Sequence, residues 1–268
     1  MRVRVVEARA TAVDASSTSP LFLIHGLGGP QMWQNVIVPL SEKFHVVVPD
    51  LPGFGDSPPP PSPYATDDYI YFIEKLMDTM RVRRGMFAGI SYGGEICALL
   101  SSRAPQRVER LVLIAATGFN RPAWLAVNDV RWTVGSFLAK HFLLRSGTFL
   151  SVNGAKSFRD VRNRPVGFVE NFRRQLLPEG KRDVFLQTVR NISSVRHGYR
   201  DELRRITSPA MIVWGADDRV VSPADATQYH QAIPHSTLTV FKECGHSVPL
   251  EKPAQLTDEI IRFSGEGE

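Results

Sequence analysis

Apolar residues along this chain keep two rhythms, short unbroken runs and repeats every three or four positions. The unbroken, β-branched-rich runs fall at 3–6, 11–13, 21–24, 44–48, 86–90 and 111–115 and read as strands. Between them Met32, Trp33, Val36, Ile37 and Leu40 recur at helical spacing. A second helix, predicted to be capped by Thr66 with Asp67 and Asp68, carries Ile70, Ile73, Met77 and Met80, and a third spans 92–103. The stretch 51–63 contains four consecutive prolines, 58–61, and must be loop. Strands separated by helices require crossover connections, so the expected fold is α/β, a mainly parallel sheet with helices on both faces.

After the sixth predicted strand the alternation stops. From 119 to 195 the apolar positions keep only a helical period: Val127, Val130, Val134, Phe137 and Phe142 on one face, and Phe185, Val189, Ile192 and Val195 on another. Pro165 suits a helix start and Gly198 a helix end. Strands resume at 210–214 and 238–241, with helices opening at Ser222-Pro223-Ala224-Asp225 and spanning 253–263. Residues 1–117 and 207–268 therefore form one α/β core, and 118–206 a helical insertion within it.

With 268 residues, 43% hydrophobic and 22% charged, the chain has ample apolar content for a core, which excludes wholesale disorder. No apolar run reaches the roughly 18–20 residues of a spanning helix, so an integral membrane protein is not expected. The opening residues lack a secretory pattern, and a cytoplasmic location is the expectation. Two cysteines, Cys97 and Cys244, cannot build a disulfide framework or a zinc cluster. The net charge of +5 is uneven: 118–206 holds 17 basic and 7 acidic residues, and the remainder is net acidic. These arginines alternate with apolar positions as on a solvated helical face, and no nucleic-acid-binding signature accompanies them. A basic insertion also suits an anionic substrate or an acidic partner.

Candidate chemistry centres on Gly89-Ile90-Ser91-Tyr92-Gly93, placed between a predicted strand and a predicted helix. A sharp turn there lifts the serine oxygen clear of the sheet, and the helix N-terminus offers free N–H groups to developing negative charge. A serine needs a base. His246, just after the last strand, is the best placed of the histidines. Asp217 and Asp218 follow the strand before it and are candidates to orient the imidazole. The order Ser, Asp, His is the one that accompanies this turn.

These residues make the chain resemble the α/β-hydrolase superfamily from 21 to 263. His25-Gly26-Leu27-Gly28-Gly29 resembles its oxyanion loop, and Asp50-Leu51-Pro52-Gly53-Phe54-Gly55-Asp56-Ser57 the loop after its second core strand. Ala115-Ala116-Thr117-Gly118-Phe119 lies where the family inserts a helical cap. The resemblance implies Ser91 as nucleophile, His246 as base, Asp218 rather than Asp217 as acid, and the N–H groups of Leu27 and Tyr92 as the oxyanion hole. Serine at the nucleophile position sets the chain apart from family members with aspartate or cysteine there. Ring-cleavage hydrolases of the superfamily commonly carry tryptophan directly after the histidine, where this chain has Ser247. No dinucleotide fingerprint or metal motif is present, so neither cofactor nor metal is expected. Ser57 reads as a turn residue, Cys97 and Cys244 as structural, and Trp124 as either lining an acyl pocket or anchoring the cap. The implied activity is carboxylic ester hydrolysis of the carboxylesterase or lipase type, on a small-molecule ester. Carbon–carbon or lactone hydrolysis, cofactor-free perhydrolysis and a non-catalytic receptor are the alternatives.

Overall fold

Leu21 to Ile24 are buried at every position, as a strand covered on both faces must be, and they sit near the middle of the sheet. The computed structural model describes residues 2–9, 19–61, 64–120, 129–193 and 198–265. Among these, seven strands form one sheet: β1 (Val5–Ala8), β2 (Leu21–Ile24), β3 (Val46–Pro49), β4 (Gly85–Ile90), β5 (Val108–Ile114), β6 (Ala210–Gly215) and β7 (Ser236–Phe241). Their spatial order is β1-β3-β2-β4-β5-β6-β7. β1 runs antiparallel to β3 and every other pair is parallel.

The helices are α1 (Ile37–Ser41), α2 (Thr66–Thr79), α3 (Tyr92–Arg103), α4 (Asp129–His141), α5 (Gly147–Ala155), α6 (Phe168–Leu176), α7 (Lys181–Ser193), α8 (Tyr199–Leu203), α9 (Ala224–Ala232), α10 (Val248–Glu251) and α11 (Pro253–Ser264). The pleat divides the core between the two faces. Leu21 and Leu23 join Trp33, Val36, Leu40, Val248 and Ile260 in one layer. Phe22 and Ile24 join Tyr69, Ile73, Ile96, Leu203 and Tyr229 in the other. Each such side chain contributes about 1.5–3 kcal/mol on full burial, which commits the register of the strand that carries it.

Helices α4 to α8 all lie between β5 and β6. This insertion follows the fifth described strand; the expected strand at 11–13, which would make that strand the sixth, lies outside the described residues. Of the two apolar helical faces read from the sequence, the one with Phe137 and Phe142 leaves these residues 59% and 64% exposed, whereas Val189 and Ile192 of the other are buried. Thr66 does not cap α2. It is the first helical residue, buried, and accepts a hydrogen bond from the Tyr92 hydroxyl at 3.0 Å, while Asp68 caps instead through the Ala65 amide at 2.8 Å. Gly198 has φ 77° and precedes α8, and Gly167, two residues beyond Pro165, opens α6; residues 194–197 before Gly198 lie outside the described residues. Among the described residues no helix is long and apolar enough to cross a membrane.

Candidate active site

β4 ends at Ile90 and α3 begins at Tyr92, leaving Ser91 alone at the turn with φ 57° and ψ −123°. A side-chain-bearing residue in this region costs on the order of 1–3 kcal/mol, so its surroundings must over-determine it. They do. The Ser91 amide donates to Ile114 O at 2.9 Å, and Ser91 O accepts from the amides of Gly94, Glu95 and Thr117 at 2.9–3.2 Å. The flanking glycines are required by space: a Cβ on Gly89 would lie 2.4 Å from Gly93 O, and one on Gly93 2.2 Å from Ile24 O.

His246 follows β7 and is buried. Its Nδ1 lies 2.8 Å from Asp218 Oδ2. The other Asp218 oxygen accepts from the amides of Val220 at 2.7 Å and Val221 at 3.0 Å, so the fully buried carboxylate is saturated on both sides. Asp217 points elsewhere, accepting from Arg159 Nε of the insertion at 3.1 Å. The structure thus separates the two aspartates that the sequence left side by side.

Ser91 and His246 open onto one cavity of about 230 Å³, which Gly26, Leu27 and Gly28 also line. Met32, Phe168, Phe172 and Phe185 give it an apolar wall, and Lys156 and Arg219 add two cations. The Tyr92 amide is at the first position of α3, where N–H groups have no intrahelical partner. A Cβ on Gly26 would approach that nitrogen to 3.0 Å, so the glycine loop passes directly beside the serine turn. The Tyr92 side chain is itself fixed: buried, donating to Thr66 and accepting from Asn191 Nδ2 at 3.2 Å.

His25 braces the glycine loop from behind. Leu51 N–H can only donate, and it does so to His25 Nε2 at 3.0 Å; Nδ1 therefore carries the proton and donates to Gly26 O at 2.8 Å. Complete burial holds its pKa down at about 4, so it stays neutral. Ser57 is a turn residue as expected, its hydroxyl donating to Asp50 O at 2.8 Å. Burial pushes the Cys244 thiol up to about 12 and raises that of Cys97, and both remain protonated. Trp124 lies outside the described residues.

One set of contacts has no counterpart in the sequence pattern. Segment 157–159 of the insertion is bonded to the loop that carries His246: Ser247 N donates to Ser157 O at 2.9 Å, and Glu251 bridges the two with Oε1 on Gly245 N at 3.0 Å and Oε2 on Arg159 N at 2.7 Å. Burial raises the Glu251 pKa, and the backbone donors oppose that rise. The approach is close enough that a Cβ on Gly245 would come within 2.6 Å of Arg159 N.

A parallel sheet with an insertion over its serine turn, and a histidine–aspartate pair at the same edge, define a hydrolase of the α/β type. The chain belongs to the alpha/beta hydrolase fold family, whose model matches residues 19–253. It is 26% identical to a 2-hydroxymuconate semialdehyde hydrolase of Pseudomonas sp. (strain CF600), over 97% of this chain and 92% of that enzyme. Its fold is shared with the enol-lactonase from Burkholderia xenovorans LB400, with a TM-score of 0.81 and 20% identity, covering 98% of this chain and 96% of the other. A bacterial membrane phospholipase A aligns with a TM-score of 0.80 and 24% identity over 98% of this chain and 82% of that one.

Proposed function

We infer that the protein is a cofactor-independent serine hydrolase that cleaves carboxylic esters through an acyl-enzyme. One observation carries the reading: a histidine bonded to a buried, saturated aspartate opens with a strained serine onto one largely apolar cavity. In this reaction Ser91 Oγ attacks the ester carbonyl carbon while His246 Nε2 takes the hydroxyl proton. Asp218 keeps Nδ1 protonated and stabilises the imidazolium. The Leu27 and Tyr92 amides hold the oxyanion, each such donor being worth on the order of 100–1000-fold in rate. The tetrahedral intermediate collapses, His246 protonates the departing alcohol, and a water activated by the same imidazole releases the acid.

The insertion acts as a cap that supplies the apolar wall. At about 230 Å³ the cavity is below the usual range of roughly 300–1,000 Å³ for larger ligands, which favours short acyl groups. Hydrolysis of p-nitrophenyl esters from acetyl to palmitoyl tests this. Turnover should peak at short chains and vanish in Ser91→Ala; full activity in that variant removes Ser91 as nucleophile. Similarity to 2-hydroxymuconate semialdehyde hydrolase favours a second reading, carbon–carbon hydrolysis by the same residues. Turnover of a ring-fission product with no turnover of any simple ester would select it.

A further inference from the structure

The described lining of the cavity at Ser91 carries formal charge of one sign. Among the described residues that line it, Lys156 and Arg219 are cationic and none is aspartate or glutamate. Neither cation has an ion-pair partner among the described residues, whereas Arg159, Arg162 and Arg173 of the insertion each have one. Both stand on anchored backbone. Arg219 directly follows Asp218 and precedes Val220 and Val221, whose amides bind the Asp218 carboxylate. Lys156 directly precedes Ser157, which is bonded to Ser247 beside His246. One cation thus comes from the acid loop of the core and the other from the insertion, and they meet at the same cavity. Both side chains are exposed, so they stand at the solvent-facing rim of a mainly apolar cavity, where together they attract and orient an anion by modest, salt-screened charge-assisted contacts.

Building on the ester-hydrolase reading, we propose that Lys156 and Arg219 select esters that carry a second, free carboxylate, such as half-esters of dicarboxylic acids. The carboxylate pairs with the two side chains while the ester carbonyl lies at Ser91. Water adds across the acyl–oxygen bond, so a half-ester gives the dicarboxylate and the free alcohol, with no further reactant required.

The test compares isosteric pairs. Mono-4-nitrophenyl adipate against 4-nitrophenyl hexanoate places the charge on the acyl side; 4-acetoxybenzoate against 4-methylphenyl acetate places it on the leaving side. A charged ester preferred by about tenfold in kcat/KM in either pair supports the proposal, and the pair that shows it tells which half is read. The preference should shrink as ionic strength rises, and should collapse toward one in Lys156→Gln/Arg219→Gln. Equal or reversed preference in both pairs overturns it while leaving ester hydrolysis standing, as does a preference that survives the double substitution. A separate readout is calorimetry of Ser91→Ala with monomethyl adipate and methyl hexanoate. If the wild type hydrolyses neither chromogenic ester, the ester reading fails. Tighter binding of the charged ligand, lost in the same double substitution, then still supports the anion site, and equal binding overturns it.

Discussion

Asn in place of Asp218 removes one charge and almost no volume, yet the hydrogen bonds around it leave the amide little choice. Oδ1 faces two N–H donors, Val220 and Val221, so an asparagine must place its oxygen there. Its NH2 group then points at His246 Nδ1, 2.8 Å away. Two donors cannot share that line, so the imidazole must shift its proton to Nε2, the nitrogen needed to accept from Ser91. Loss of the proper tautomer in a comparable triad costs about 10⁴-fold in kcat. Asp217→Asn, by contrast, alters only a surface pair with Arg159, and exposed pairs contribute about 0–1 kcal/mol. Steady-state hydrolysis of a short p-nitrophenyl ester should therefore show Asp218→Asn down by about 10⁴-fold and Asp217→Asn within a few-fold of wild type. Activity of Asp218→Asn within tenfold of wild type, or a deeper loss in Asp217→Asn, refutes this account of the acid.

Three further outcomes follow from other parts of the site. His25 titrates near 6.5 when unfolded and about 4 when folded, so the unfolded chain binds the extra proton between these values. Stability is lost as pH falls through that window, by about 3 kcal/mol, and urea midpoints of His25→Asn should lose this slope. Glu251→Gln turns an NH2 group toward Gly245 N or Arg159 N, and thermal unfolding should register about 1–3 kcal/mol of destabilisation. Gly93→Ala forces a Cβ onto Ile24 O; soluble protein of wild-type activity would contradict so close an approach of α3 to the end of β2.

Legibility in the sequence followed how local the governing physics was. The strands at 21–24, 86–90 and 210–214 were readable because a strand buried on both faces is a continuous apolar run. The serine turn was readable because strand, small residues and helix are contiguous around Ser91. The same logic failed where partners are distant. Thr66 looks like a cap from its neighbours, but Tyr92, 26 residues on, claims its hydroxyl. Phe137 and Phe142 keep a helical period that says nothing of which face is covered. The choice between Asp217 and Asp218 rested on resemblance until the fold placed His246 beside one and Arg159 beside the other. Glu251 left no local trace, since it bonds backbone amides that any residue type could supply.

The bonds between 157–159 and the His246 loop divide the insertion unequally for anyone recombining it. An exchange of the whole insertion would place its junctions at the ends of β5 and β6. Here those junctions would carry away Ser157 O and Arg159 N, leaving Ser247 N and the Glu251 carboxylate facing whatever replaced them. A chimera that keeps 157–159 with the recipient core, and exchanges only the helices before and after it, preserves the support under the histidine while renewing the wall the substrate meets. In breeding terms, that tripeptide is inherited with the core.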